Sequence, residues 1–556
     1  MKASMKWPVV AAVVGFIAVA AVYSWATLSP FSRATVEVPV PGGTYIEGLV
    51  GQPKYLNPIL SQPDTVDQDI VALVFSGLSK VSDDGAIVPD LARSWDISTD
   101  GKTYLFDLRP GARWHDGWPV VADDVVYTVR QVQDPAYQGN PAFAGLWQGI
   151  SVEKVSDSRV KFVLKDAYAP FLEFTTLGLL PSHLLSNVPA QRLPESTFNL
   201  RPVGTGPFRV VDSGLQEVGL DPFPDYYGAK PMLDKIRFRF YADERSALRA
   251  LRLQEVLGVG YVGPQDLEKL REDQSVVTYV SPEYSKLTLL ILNTKSAVIV
   301  DAAMRQAIAY SLSRDRIIEL AMDGAAVPAE GLTIPGSWAA GKDRGGYNYD
   351  PEKAKALLDE AGWKDSDGDG IREKGNDKLS FILLTNDKPQ RVAAAQEISR
   401  QLAEVGVKVD AQSTGWSGFV QDFLVPRFFH AVLAEQWSPG ADPDGYQFWH
   451  SSQARNGLNF SQWTNRTADE LIENGRKTAQ PADRAKYYAD FEKLFAKEVP
   501  GIPLYYPLYT YVINRNIKGV QLGLMIDPSH RFDHIDQWYI RTKKVEVDAK
   551  GTPVGK

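Results

Sequence analysis

The chain reads as an α/β protein, and three stretches carry that reading. In RVAAAQEISRQLAEVGVKVDAQ, from Arg391 to Gln412, Ala395, Ile398, Leu402 and Val405 form one helical stripe, Gly406 stops it, and Val407 and Val409 alternate as in a strand. A helix, a one-glycine stop and a strand make an α/β unit, so a mixed sheet covered by helices is expected there. From Asp84 to Val129, the dipeptides Asp84-Gly85 and Asp100-Gly101 set hairpin turns, because glycine accepts the positive φ such turns require. Around them Trp95 and Ile97, then Tyr104, Phe106 and Leu108, alternate with polar residues at the period of half-buried strands. The third stretch, LTLLILNT from Leu287 to Thr294, is a continuous apolar strand.

The remaining elements follow in chain order. From Pro8 to Leu28 no residue is charged, and Lys2 and Lys6 precede the run. About 20 apolar residues can span a bilayer, whereas secretory segments have roughly 7–15, so length favours an uncleaved signal anchor. The lysines would stay inside and the rest of the chain outside. A cleaved signal peptide is the alternative, since Ser24-Trp25-Ala26 offers small residues to a peptidase. Ser29 to Pro41 reads as a linker with three prolines and no helical period. The folded body starts at Gly42-Gly43, with Tyr45, Glu47 and Leu49 on a strand. At RPVGTGPFRVV, from Arg201 to Val211, a Gly/Pro cluster gives way to another strand. Asp350 caps a helix that has Pro351 at its first position, a stripe of Ala354, Leu357, Leu358 and Ala361, and a stop at Gly362. GIPLYYPLYTYVIN, from Gly501 to Asn514, is aromatic and β-prone.

Composition narrows the function. A formal net charge of -8 offers no basic footprint, which excludes nucleic acid as a partner. The absence of cysteine rules out disulfides and thiolate metal sites. There is no GxSxG elbow and no HExxH pair, so no catalytic residue and no cofactor are assigned. His530 and His534 are spaced i, i+4 but lack a metalloprotease glutamate, and they read as solvated histidines in a loop. Asp365, Asp367 and Asp369 alternate as in a calcium loop, but the twelfth position is Asn376 where a bidentate glutamate is expected. An acidic, solvated turn is the preferred reading, and no metal is assigned.

The segment EQWSPGADPDGYQFWHS, Glu435 to Ser451, is the candidate binding site. Pro443 holds Asp442 extended, Asp444 follows, and Trp437, Tyr446, Phe448 and Trp449 crowd around. A carboxylate in an aromatic wall suits an ammonium group, through a charge-assisted hydrogen bond and cation–π attraction. A DPDG turn over a core aromatic cluster accounts for the same residues.

The ordered pieces PDLA, SW, the DG turn, YLFDLRPG, WHDG and ADDVVYT, within residues 84–129, resemble the signature of the extracellular solute-binding proteins of family 5, the oligopeptide, dipeptide and nickel receptors of ABC importers. The resemblance implies an α/β, two-lobed, periplasmic-binding-protein-like fold of type II with an extra subdomain in the first lobe. With residues 1–28 read above as the anchor or signal peptide and 29–41 as linker, the resemblance implies 42–69, 201–286 and 504–545 as the first lobe. The subdomain would span 70–200, the second lobe 287–503 and a tail 546–556. It also implies that Asp442 binds a peptide's α-amino group, with Asp444 beside it, and that Trp416, Trp437 and Tyr284 wall the pocket. The expected protein is a monomer, not an enzyme, at the outer face of the cytoplasmic membrane, passing peptides to permease subunits. Nickel chelates, sugars or another solute remain open as ligands. An extracellular hydrolase is the more distant alternative.

Overall fold

One strand, Gly501–Asn514, joins the two halves of a twelve-stranded mixed sheet. The computed structural model describes residues 35–61, 66–341, 345–437 and 441–546, with the side chains of Ala142 and Trp437 left out of the description. The C-terminal end of the joining strand pairs antiparallel with Val276–Pro282 and Gly258–Gly260. Beyond them lie Thr44–Val50 and Lys235–Tyr241, parallel neighbours, and then the antiparallel pair Glu217–Pro222 and Phe208–Ser213. The N-terminal end pairs antiparallel with Lys286–Leu292, which is followed by Ala431–Trp437, Ser380–Asn386 and, at the edge, Lys408–Thr414. The chain therefore crosses between the halves twice: within the long strand, and between Pro282 and Lys286.

The α/β expectation holds in detail at Arg391 to Gln412. Helix Pro389–Ala403 buries Ala395, Ile398 and Leu402, Gly406 adopts φ 83°, and Lys408–Thr414 lies parallel to Ser380–Asn386. Helix Pro351–Glu360 begins as expected, Asp350 accepting from the Lys353 N–H. The hairpin alternation also builds a real sheet. Ala92–Ile97, Thr103–Leu108, Arg159–Val163 and Ser151–Ser156 form four antiparallel strands, with Tyr104, Phe106 and Leu108 buried. Their turn is made by Gly101 at φ 68°.

The linker reading needs correction in part. Thr35–Val40 is a strand, paired antiparallel with Arg541–Glu546. Pro39 is tolerated because the pair is two-stranded, so an amide that cannot donate costs no central ladder bond. The apolar run Pro8 to Leu28 lies outside the described residues, and among the described residues no helix is long and apolar enough to cross a membrane.

A buried ion cluster ties the first half together. Arg531 bonds Glu47 at 3.1 Å and Asp69 at 2.6 Å, linking strand Thr44–Val50, helix Val66–Val74 and the turn Pro528–Phe532. Removing one partner would leave a buried charge uncompensated, which costs several kcal/mol, roughly 3–5. His530 and His534, expected in a solvated loop, are instead half-buried around a 3-10 turn: His530 bonds the Leu524 carbonyl and His534 pairs with Asp83 at 3.0 Å. The turn forms because Arg531, between them, is drawn into the core.

Candidate functional site

The two crossings floor a cleft with about 680 Å³ of atom-free space, open to solvent. Tyr284 sits in the short crossing, its N–H donating to the Met525 carbonyl at 2.8 Å. Its ring meets that of Tyr506, on the long strand, edge-on at 5.2 Å. Phe448 and Trp449 from helix Tyr446–Trp449, with Tyr488 and Phe491 from helix Pro481–Glu498, supply aromatic walls. Asp442 and Asp444 both line this space, as does Tyr284.

Neither aspartate is a bare charge. Asp442 is gripped from both sides of the carboxylate by Arg484, at 2.7 and 2.8 Å, and its Oδ1 also accepts from the Asp444 N–H. Arg484 is held in place by the Gly475 carbonyl and the Tyr488 hydroxyl and lies over the Trp338 ring. Burial is the largest effect and opposes the Arg484 charge, but Asp442 and the Tyr488 hydroxyl together outweigh it and lift the guanidinium above its ordinary value. Asp444 ion-pairs with Arg476 at 3.1 Å and accepts from the Tyr168 hydroxyl and the Tyr446 N–H. Burial raises the Asp444 pKa while Arg476 opposes the rise.

The opposite half reaches this loop through residues 168–173. Arg476 lies over the rings of Tyr168 and Tyr446, and its carbonyl accepts from the Ala169 N–H at 2.7 Å. Glu173 accepts from the Asp442 N–H at 3.2 Å. Burial, and then the negative charge of Asp442, push the Glu173 pKa up to about 8. At neutral pH it therefore sits largely as the neutral acid.

Of the expected site residues, Asp442, Asp444 and Tyr284 come together. Trp437 ends strand Ala431–Trp437, and its side chain lies outside the described residues. Trp416 does not join them: it is 60% exposed on the turn that follows the edge strand Lys408–Thr414, and the sheet order sets that strand far from the joining strand. In the acidic loop, Asp365 accepts from the N–H groups of Gly368 and Gly370, while Lys378 pairs with Asp367 and Asp369. Glu373, not Asn376, brings a further carboxylate beside Asp365 and Asp367. A lysine already balances two of these acids, as in a solvated turn.

Sequence reasoning missed Arg484, Arg476, Glu173 and Glu492. One signal was present. Arg484, Tyr488, Glu492 and Phe495 share a helix face at spacings of four, four and three, so two charges stand on a buried stripe.

Three comparisons bear on this architecture. The family model of the bacterial extracellular solute-binding proteins, family 5 Middle, matches residues 86–458. The oligopeptide-binding protein AppA of Bacillus subtilis (strain 168) is 30% identical over 90% of this chain and 92% of its own length. Its structure in complex with a nonapeptide aligns with a TM-score of 0.66 at 29% identity, covering 91% of this chain and 100% of that one. The dipeptide-binding protein of Escherichia coli (strain K12) is 27% identical over 90% of this chain and 96% of its own. NikZ from Campylobacter jejuni, in complex with Ni(L-His), aligns with a TM-score of 0.68 at 28% identity, covering 89% and 99%.

Proposed function

This chain belongs to the bacterial extracellular solute-binding proteins of family 5, and from that membership we propose that it captures peptides outside the cell membrane and delivers them to the permease of an ABC importer. The observation that carries the peptide reading is Asp442: a carboxylate held on both oxygens by Arg484, lining an aromatic-walled cleft at the junction of two sheet halves. Arg484 and the Asp444 N–H approach from the protein side and aim the carboxylate, leaving the cleft side to take a ligand's α-ammonium. Tyr284 and Tyr506 give the chain that follows an apolar wall. Affinity then comes from the peptide's terminus and backbone, with side chains in hydrated space.

Closure supplies the signal to the permease. The two halves act as lobes, with residues 42–69, 201–286 and 504–545 in the first, 287–503 in the second, and 70–200 as the subdomain. The hinge is the pair of crossings at Pro282 to Lys286 and within Gly501–Asn514. A ligand touching both lobes favours the closed form, which the permease recognises. No covalent step is required. The apolar run from Pro8 to Leu28 tethers the protein to the membrane, with the cleft outside.

The test is calorimetry of tri- and tetrapeptide binding by Asp442→Asn and Asp442→Ala. The asparagine variant keeps the shape and leaves Arg484 an acceptor, so the fold should persist. Affinity should fall about tenfold or more in both, the loss expected of a charge-assisted hydrogen bond. Unchanged peptide affinity would remove Asp442 from amine capture. Native mass spectrometry of the purified chain should show co-purified peptides. A nickel chelate or a sugar in their place would overturn the peptide reading.

A further inference from the structure

The charges around the cleft do not balance. Asp442 is matched by Arg484 and Asp444 by Arg476. A third carboxylate, Glu492 on helix Pro481–Glu498, also lines the cleft, is only 3% exposed, and has no ion-pair partner among the described residues. Its Oε1 accepts three bonds, from the N–H groups of Leu332 and Thr333 and from the Thr333 hydroxyl, at 2.9, 2.8 and 2.9 Å. Its Oε2 is buried with no hydrogen-bond partner among the described residues. A carboxylate oxygen shut away from water with no donor is a costly arrangement, and it is relieved by a ligand that brings a donor.

Sharing Glu492 and Leu332 with the cleft is a second, small pocket, lined also by Glu330, Tyr347 and Arg314. Arg314 is turned onto the carbonyls of Pro503 and Tyr347 and does not serve Glu492.

We propose that Glu492 is a second cation-binding position, distinct from the amine position at Asp442, and that it makes the cleft selective for peptides carrying a basic side chain. The inference rests on the peptide reading above and deepens it. The arrangement has a physical logic: Asp442 with Arg484 is a matched pair that orients one ammonium, whereas the Glu492 carboxylate has no cationic partner among the described residues and stands in an apolar wall of Trp449, Tyr488 and Phe491. A lysine or arginine side chain supplies the missing charge, and its aliphatic stem packs against those rings.

The test compares wild type with Glu492→Gln by calorimetry, using trialanine, Lys-Ala-Ala, Ala-Lys-Ala and Ala-Ala-Lys. Glutamine keeps a carbonyl oxygen for Leu332 and Thr333, and an unchanged melting temperature serves as the folding control. Wild type should bind at least one lysine peptide about tenfold tighter than trialanine, and the variant should erase that preference while binding trialanine within about threefold of wild type. Wild-type binding with no preference for any lysine peptide overturns this inference alone, as does a preference that survives in Glu492→Gln. Failure of wild type to bind any of the four overturns the peptide reading and this inference with it.

Discussion

His115 shows how a single side chain fixes two distant pieces of backbone. Its Nδ1 accepts from the Gly204 N–H at 3.1 Å, and its Nε2 lies 3.1 Å from the Gly206 carbonyl, so the ring must be neutral with its proton on Nε2. Burial pushes its pKa down from 6.5 to about 4. In the unfolded chain the ring protonates near pH 6.5, and in the folded protein only near 4. Its contribution is therefore complete above pH 6.5 and is lost as pH falls toward 4, by about 3 kcal/mol. Urea unfolding at pH 7.5, 6 and 5 should show wild type losing stability down this series, while His115→Asn is weaker at pH 7.5 and loses less. Parallel pH profiles would remove His115 from the titration. The WHDG turn itself was legible in sequence, from Gly117 and its neighbours. The staple was not, because its partners stand some ninety positions further along the chain. Asp442 has a similar history: resemblance pointed to the carboxylate, whereas its partner Arg484 stands 42 positions further along the chain.

The element most sensitive to a small change is the GTGPF turn. Gly206 donates its N–H to the Val74 carbonyl at 2.9 Å, closing the turn on the end of helix Val66–Val74. A Cβ at Gly204 would lie 1.9 Å from that same carbonyl oxygen, and a backbone atom cannot rotate away. Gly204→Ala should cost about 3 kcal/mol, at the upper end of overpacking, read as a lower urea midpoint with an unchanged slope. A midpoint equal to wild type would mean that the helix end is free to shift. Elements whose signals are local were readable: the glycine stop at Gly406, the Asp350 cap and the alternation at Tyr104, Phe106 and Leu108 need nothing beyond their own segment. Strand Thr35–Val40 was not readable, since its partner, Arg541–Glu546, lies at the opposite end of the chain and Pro39, with Pro41 just beyond it, mimics a linker. Trp416 has an aromatic character that suits a pocket wall, but it stands 60% exposed after the edge strand and is not among the residues lining the cleft with Asp442 and Tyr284.

At the scale of the whole molecule, the two halves meet at the crossings and again across the cleft mouth. There Glu173 takes the Asp442 N–H, Tyr168 reaches Asp444, and the Trp338 N–H donates to the Asp84 carbonyl. These pairs were invisible in the sequence, because they exist only once the halves are docked. On the proposed hinge closure, these contacts would respond to protons. Docked as here, burial pushes the Glu173 pKa up to about 8, whereas separated halves would return it to water and its ordinary 4.5. An acid whose pKa rises on closing favours the closed form most fully below 4.5, and that advantage is lost as pH rises through about 8. Either oxygen of the neutral acid still accepts from the Asp442 N–H, so the contact survives protonation. Peptide binding that closes the cleft should therefore take up close to one proton at pH 6.5. Calorimetry in phosphate and in Tris at that pH reads the uptake as a difference in binding heat that scales with buffer ionisation enthalpy. Glu173→Gln should bind with heats that no longer depend on the buffer, and with an affinity that stays level between pH 6 and 8. Buffer-independent heats in the wild type would show that Glu173 does not change protonation on closing.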